Sequence, residues 1–292
     1  MPLTQPISYS REQILKGLDR LPKMSALTMR LLAGLARQDC EVHELASLVE
    51  KDTLLSAQLL RMANSAKFAR SQAIVDIPHA IAMVGITMMW KLALSVSVSN
   101  LFSREKTAPS FSKLRFNIHS VATATLAELL AEEGPFEHPK SAYIAGLLHD
   151  VGKLLIAVNT PDLYEEILAI SSISRRSPRE VEYEVLGLDH AELSQLAIEK
   201  WGLSVPIQQA AQYHHCPEDA RLVERPAPGR IGLSQAIHKA DLFVNYLGMS
   251  ILPSLATREE APSLTIPGYE ITEELVLQRF QYEWKHLNNL FK

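Results

Sequence analysis

Residues 177–202 read SPREVEYEVLGLDHAELSQLAIEKWG, and this stretch decides the fold class. Ser177, Pro178 and Glu180 carry the pattern of a capped helix start. A hydroxyl accepts a free N–H, a proline sits where no N–H is needed, and a glutamate reaches back from three residues on. Asp189 and Glu192 repeat that logic at the head of DHAELSQLAIEKW, and Gly202 supplies the stop. Outward from there, apolar residues keep returning at three- and four-residue steps, as in Ile14, Leu18, Leu21 and then Leu27, Leu31, Leu32, Leu35. Asp52 opens DTLLSAQLLRMAN, where Leu54, Leu55, Leu59 and Met62 are expected on one face. Thr160-Pro161 and Ser204-Val205-Pro206 mark two further starts. There is no Asn-Gly or Asp-Gly hairpin signal, and only Val96-Ser-Val-Ser alternates like a strand, inside a longer helical pattern. The expected fold class is all-α, a multi-helix bundle.

Composition narrows the function classes. The 292 residues are 47% hydrophobic and 21% charged, which excludes a disordered or low-complexity chain. Lys and Arg number 29 against 33 Asp and Glu, a formal charge of −4, so binding to a nucleic-acid polymer is not expected, although a local basic pocket is compatible. Two cysteines, Cys40 and Cys216, are too few for a disulfide framework and fit a reducing, cytoplasmic compartment. The opening MPLTQPISYSREQ is polar and lacks a signal-peptide core. The most apolar region, Ile77 to Phe102, is cut by Lys91 into pieces shorter than the ~20 residues of a membrane span, so it is read as buried helix and no membrane partner is expected.

Breakers divide the chain. Residues 103–112 (SREKTAPSFS) join an N-terminal helical half, 1–104, to a second half, 105–250. Residues 222–233 read as a surface loop. A linker and a final amphipathic helix, Glu270 to Leu290, fill 251–292. The apolar face of that helix (Leu275, Phe280, Trp284, Leu287, Phe291) is expected to dock on its own core or on a second copy in a homodimer.

The second half carries His119, the pair His149-Asp150, His190, the pair His214-His215, and Asp241. Each is flanked by apolar residues in a helical pattern (FNIHSVA, AGLLHDVGKLL, LDHAELS, AQYHHCPE, IHKADLFV). Such residues face inward, where an unpaired charge is costly. Imidazoles and carboxylates converging from several helices suit a divalent transition metal, since Mn, Fe, Co and Zn accept both donor types. His214 and His215 diverge by about 100° on a helix, so two metals, or one metal and a bound water, can use both. The plainer alternative is a set of hydrogen-bonded core histidines, and His43, His79, His138 and His286 are left to it. His238, one turn before Asp241, is either a supporting residue or solvated. Cys216 is read as a buried inert thiol rather than a ligand.

The string GLLHDVGK (146–153), with His119 upstream and HKAD ending at Asp241, resembles the HD superfamily of metal-dependent phosphohydrolases. LPKMSALTMRLLAGL (21–35), ELASLVEKDTLLSAQLLRMANSAKF (44–68) and IPHAIAMVGI (77–86) narrow the resemblance to the HDOD domain, an HD-related output domain of bacterial signalling proteins. It runs from about Leu21 to about Asp241, and Arg-Met-Ala-Asn-Ser (61–65) is its most specific part. Many HDOD domains have lost the HD ligands and act as docking modules, whereas the set here is whole.

The metal pattern resembles that of HD-GYP phosphodiesterases. The resemblance implies that His119, His149, Asp150 and Asp241 hold one metal, and that Asp150 bridges to a second held by His190, His214 and His215. Fe or Mn is implied first, with Zn, Co or Ni compatible. Lys153 falls where that family has a lysine that contacts phosphate and assists the reaction. The Gly-Tyr-Pro element is absent after His215, so cyclic di-GMP specificity is not implied. Arg115 stands where some relatives place a third-metal glutamate. It is expected either to fork to a phosphate in the pocket or to lie on the surface. The expected function is a cytoplasmic, bacterial HDOD-type signal-transduction protein with a dinuclear metal site, responding to a signalling partner or a nucleotide or phosphate ligand. The alternative is an active metal-dependent phosphodiesterase or phosphohydrolase on a nucleotide.

Overall fold

The computed structural model describes residues 11–37, 41–64, 73–219, 226–252, 261–266 and 270–288. Both predicted capping boxes form. Ser177 Oγ accepts the Glu180 N–H while Glu180 takes the Ser177 N–H, opening Pro178–Leu186 (α11). Asp189 and Glu192 do the same for His190–Lys200 (α12). The remaining helices are Arg11–Gly17 (α1), Ala26–Arg37 (α2), Val42–Val49 (α3), Thr53–Ala63 (α4), Ile77–Val84 (α5), Ile86–Leu101 (α6), Lys113–Glu133 (α7), Ala142–Leu148 (α8), Val151–Asn159 (α9), Pro161–Ser174 (α10), Val205–Gln212 (α13), Leu233–Tyr246 (α14) and Glu273–Leu287 (α15). Among the described residues extended pairing is confined to an isolated bridge, Phe136 to Ile231, and Val96-Ser-Val-Ser lies within α6. The protein is all-α.

Two compact units form, 1–21 with 105–273 and 22–104 with 274–292. In the first, α7 packs on α8 and α14, and α12 packs on α9 and α13. From Phe116 to Ala131 α7 is buried at nearly every position, the mark of a central helix. Two glycines let backbones meet. A Cβ on Gly146 would sit 2.6 Å from Ala124 Cα, and one on Gly152 only 2.0 Å from His190 O. Those approaches bring α8 onto α7 and α9 onto the head of α12, the elements that carry the candidate residues.

In the second unit α2 packs on α6. Ile77–Phe102 is not one helix: α5 and α6 meet at 116°, and the break falls at Gly85, whose φ of +93° favours glycine. Lys91 is buried within α6 and paired with Glu283 of α15 at 2.9 Å. Leu54 is turned to solvent while Leu55, Leu59 and Met62 are buried, so the face of α4 is narrower than the spacing suggests. On α15, Phe280 and Leu287 are buried but Leu275 is exposed. Leu264 and Ile266, in the stretch read as a linker, are buried. Ser65, residues 222–225 of the loop, 253–260 and 267–269 of the linker, Leu290 and Phe291 lie outside the described residues. Among the described residues one stretch, Pro139–Asn159, is long and apolar enough to cross a membrane, and 83% of its most apolar window is buried within the structure.

Candidate metal centre

Five of the seven candidate ligands lie at helix ends, with His119 and Asp241 inside α7 and α14, and that placement shapes the site. His149 follows the last residue of α8, Asp150 is the N-cap of α9, His190 opens α12, and His214 and His215 follow α13. Helix ends leave carbonyls without intrahelical partners. His149 Nδ1 meets Gly146 O at 2.8 Å, and His214 Nδ1 meets Ala211 O at 2.6 Å, each a carbonyl three residues back. His119, within α7, reaches Met249 O through Nδ1 at 3.2 Å. Donation through Nδ1 fixes the tautomer and leaves each Nε2 lone pair facing the centre.

The Nε2 atoms meet two carboxylates. Asp241 Oδ1 is 3.1 Å from His119 Nε2 and 3.8 Å from His149 Nε2. Asp150 Oδ2 is 3.5 and 3.4 Å from the same two nitrogens, while its Oδ1 is 3.5 Å from His190 Nε2 and 3.6 Å from His214 Nε2. His190 Nε2 is 2.8 Å from His215 Nε2. Two groups result, His119–His149–Asp150–Asp241 and His190–His214–His215, each with ligand atoms within 4.8 Å of one another. The carboxylate of Asp150 lies between them.

The donors fit a cation. Asp150 Oδ1 and His214 Nε2 are buried without a hydrogen-bond partner, and such atoms normally have one. His119 Nε2 and His149 Nε2 face each other at 3.3 Å. With both Nδ1 hydrogens given to carbonyls, two lone pairs oppose unless a proton or a metal lies between them. Burial alone would depress the His149 imidazole, but Asp150 and Asp241 outweigh it and hold it up to about 10. His214 is pushed down to about 3 by burial and then by His149. Both carboxyls stay well below their usual range: burial opposes this, but for Asp150 the charges of Lys153 and His149 prevail, and for Asp241 the bonds from His119 and His149. His214 is thus a neutral imidazole beside an ionised carboxylate, the state a metal ligand needs, whereas His149 must give up its proton to bind one.

Several supports were not legible in the sequence. Glu182 of α11 is buried, and its Oε2 accepts both the His190 N–H at 2.8 Å and His190 Nδ1 at 2.6 Å. This is the carboxylate–histidine arrangement that orients metal ligands. Ser194 Oγ accepts from Gly152 N and donates to His190 O, both at 2.8 Å. His238 is a supporting residue, with Nδ1 2.6 Å from His214 O. Cys216 is exposed rather than buried, its Sγ 3.3 Å from an Arg179 nitrogen. Lys153 Nζ is 2.6 Å from Asp150 Oδ2. Arg115 does not fork into the cavity: it clamps the turn after α14, bonding Ser250 O at 2.9 Å and Gly248 O at 3.0 Å. It thereby steadies the segment whose Met249 carbonyl receives His119.

A cavity of about 350 Å³ opens onto this cluster. His119, Lys153, Arg179, His190, His215 and Asp241 line its polar part, and Leu242, Tyr246, Ile251 and Leu252 its apolar part.

An all-α unit with two largely buried clusters, one of histidine and aspartate and one of histidine, whose donor atoms could hold metal ions, is the class that fold and site define. Residues 21–217 match the HDOD domain, and the chain belongs to that family. An uncharacterized protein of Treponema pallidum (strain Nichols) is 21% identical over 203 residues, 68% of this chain and 38% of that protein, so the chain spans well under half of this relative's length. Three solved structures share the fold. An HDOD domain protein from Geobacter sulfurreducens superposes with a TM-score of 0.76 at 21% identity over 96% of this chain and 95% of that one. A candidate phosphohydrolase from Shewanella amazonensis SB2B gives 0.69 at 20% identity, covering 96% and 97%. A candidate signal transduction protein from Marinobacter aquaeolei VT8 gives 0.72 at 18%, covering 96% and 64%.

Proposed function

We propose that this protein is a cytoplasmic HDOD-type signal-transduction module built on a dinuclear metal site. One observation carries the metal reading: each Asp150 oxygen faces a different group of imidazole nitrogens, at 3.4 to 3.6 Å. A carboxylate so placed would contribute one oxygen to each of two metal ions. His119, His149 and Asp241 complete one ligand set, and His190, His214 and His215 the other. Mixed imidazole and carboxylate donors suit Fe or Mn. Two such ions, when bound, would supply a water of lowered pKa and a clamp for the oxygens of a phosphoryl group. Output passes to a protein partner, consistent with the family and with the name of the Marinobacter neighbour.

A second reading, a nucleotide phosphohydrolase, is favoured by the cavity, which gives a ligand a route to the cluster beside Lys153. Lys153 is roughly four-fifths buried and held by Asp150, so its ammonium is fixed at the cluster edge, where it meets an incoming phosphate oxygen. The name of the Shewanella neighbour agrees with this reading.

The test is elemental analysis of protein purified without chelator, then turnover assays on cyclic and linear nucleotides. Two metals per chain are expected, with both lost in Asp150→Ala and mainly one lost in His190→Ala. Negligible metal after reconstitution with Mn or Fe ends the dinuclear reading. Metal without turnover leaves the signalling module alone.

A further inference from the structure

We propose that Arg179 is the anion-reading residue of the cavity, and that the ligand it selects is a small phosphate ester with an apolar or aromatic body. The inference rests on the reading of the cavity as a ligand site and adds what that ligand is.

Arg179 lies in the first turn of α11, immediately after the N-cap Ser177 and Pro178, and all three residues line the cavity. Its guanidinium is anchored through two of its three nitrogens. Nε donates to Asp189 Oδ2 at 2.6 Å, and one terminal nitrogen to Cys216 Sγ at 3.3 Å. The remaining N–H groups make no bond to another described residue. A guanidinium held through Nε and one terminal nitrogen is fixed in orientation and keeps the N–H groups of its other terminal nitrogen for the oxygens of a phosphate. The anchor also removes most of the rotamer entropy that a free arginine would lose on binding. The other cations near the site are less suited. Lys153 is bound to the buried Asp150, and Arg115, which does not line the cavity, is spent on the carbonyls of Gly248 and Ser250.

The far wall sets the rest of the ligand. Leu242, Tyr246, Ile251 and Leu252 line it, and Tyr246 is 40% exposed. An aromatic side chain left half in water at a cavity lip offers a stacking face. Inorganic phosphate would leave that wall wet. A phosphorylated small molecule with a planar or apolar group covers it while its phosphate reaches Arg179.

The test uses the full chain, metal-loaded, titrated calorimetrically with inorganic phosphate, ribose 5-phosphate and adenosine 5′-monophosphate. Arg179→Ala should weaken all three by about ten- to a hundredfold, the worth of a charge-assisted contact. Arg179→Lys should recover part of the loss, since charge returns without the planar guanidinium. Metal content should be unchanged in both variants. Tyr246→Ala should weaken the nucleotide several-fold, by about the worth of a stacking contact, and leave the other two unchanged. Equal phosphate affinity in wild type and Arg179→Ala overturns the inference, as does wild type that binds none of the three. Loss of metal together with phosphate in Arg179→Ala also overturns it, because the residue would then act by holding Asp189 and the head of α12. If the wild type holds no metal, the dinuclear reading falls on its own, and the same phosphate comparison on the metal-free chain decides the role of Arg179.

Discussion

Gly152→Ala tests whether the close approach of α9 and α12 builds the centre. An added Cβ would lie 2.0 Å from His190 O, 2.8 Å from its carbonyl carbon and 3.0 Å from its Cα. All three are backbone atoms, so no side chain can swing aside. Reaching an ordinary contact of 3.4 Å requires the helices to part by about 1.4 Å at this point. Ser194 Oγ bridges Gly152 N and that same carbonyl, so the separation strains two hydrogen bonds as well. Overpacking of this kind costs about 1–3 kcal/mol or somewhat more. The better helix propensity of alanine returns up to about 1 kcal/mol. We expect a net loss of about 2 kcal/mol, a fall in melting temperature of roughly 4–8 °C for a unit of this size. His190 Nε2, now 3.5 Å from Asp150 Oδ1, moves out of shared reach. Thermal melts and metal analysis should therefore show a destabilised protein that keeps the first metal and loses the second. A Gly152→Ala protein with an unchanged melt and full metal content refutes the argument.

Glu182→Gln keeps an acceptor for the His190 N–H but removes the charge that orients the ring, so affinity at the His190 side should fall about ten- to a hundredfold while the other side is unaffected, read by competitive chelator titration. In metal-free protein His149 keeps its proton up to about 10, so its contribution to stability is complete below the ordinary value of 6.5 and is lost as pH rises through about 10. A metal must displace that proton. Uptake should therefore release protons and tighten as pH rises through neutrality, and calorimetry in buffers of different ionisation enthalpy that finds no proton release counts against His149 as a ligand. Lys153→Ala should leave metal content unchanged and, if nucleotide hydrolysis is found, lower its rate about a hundredfold or more; equal rates would remove Lys153 from the reaction.

The fold class was legible because helix signals are local. The two capping boxes and Gly202 lie within a few residues of the bonds they form, and α11 and α12 follow. Residues of the metal cluster were legible for a related reason: a histidine or aspartate among apolar neighbours must face inward and must then find a partner. What was hidden depends on tertiary placement. Glu182 sits in SPREVEYEVLGL among other acids, and nothing local separates it from Glu184, yet it is buried against His190 while Glu184 faces solvent. Leu54 and Leu55 look alike in sequence, and only packing decides that one is exposed. Arg115 had a charge and a phase on α7 but no sign of the Gly248 and Ser250 carbonyls more than 130 residues away. Gly152 did carry a signal, as the glycine of HDVGK, although only the distance to His190 O gives its reason.

The way the imidazoles are held bears on which substitutions the centre tolerates. Three of the five take their Nδ1 partner from backbone, at Gly146, Ala211 and Met249. Two of these carbonyls close the last turns of α8 and α13, so no side-chain substitution removes them without disturbing the helix itself. His190 differs: it sits at the start of α12, where N–H groups rather than carbonyls are unsatisfied, and a helix start offers it no acceptor. A carboxylate has to be brought in, and Glu182 serves both the backbone N–H and the ring. Within the His190–His214–His215 group His190 therefore depends on one replaceable side chain, whereas the Nδ1 partners of His119 and His149 are both main chain. Under single substitutions the second group is expected to be the first to lose its ion, leaving a mononuclear centre still anchored by Asp150 and Asp241.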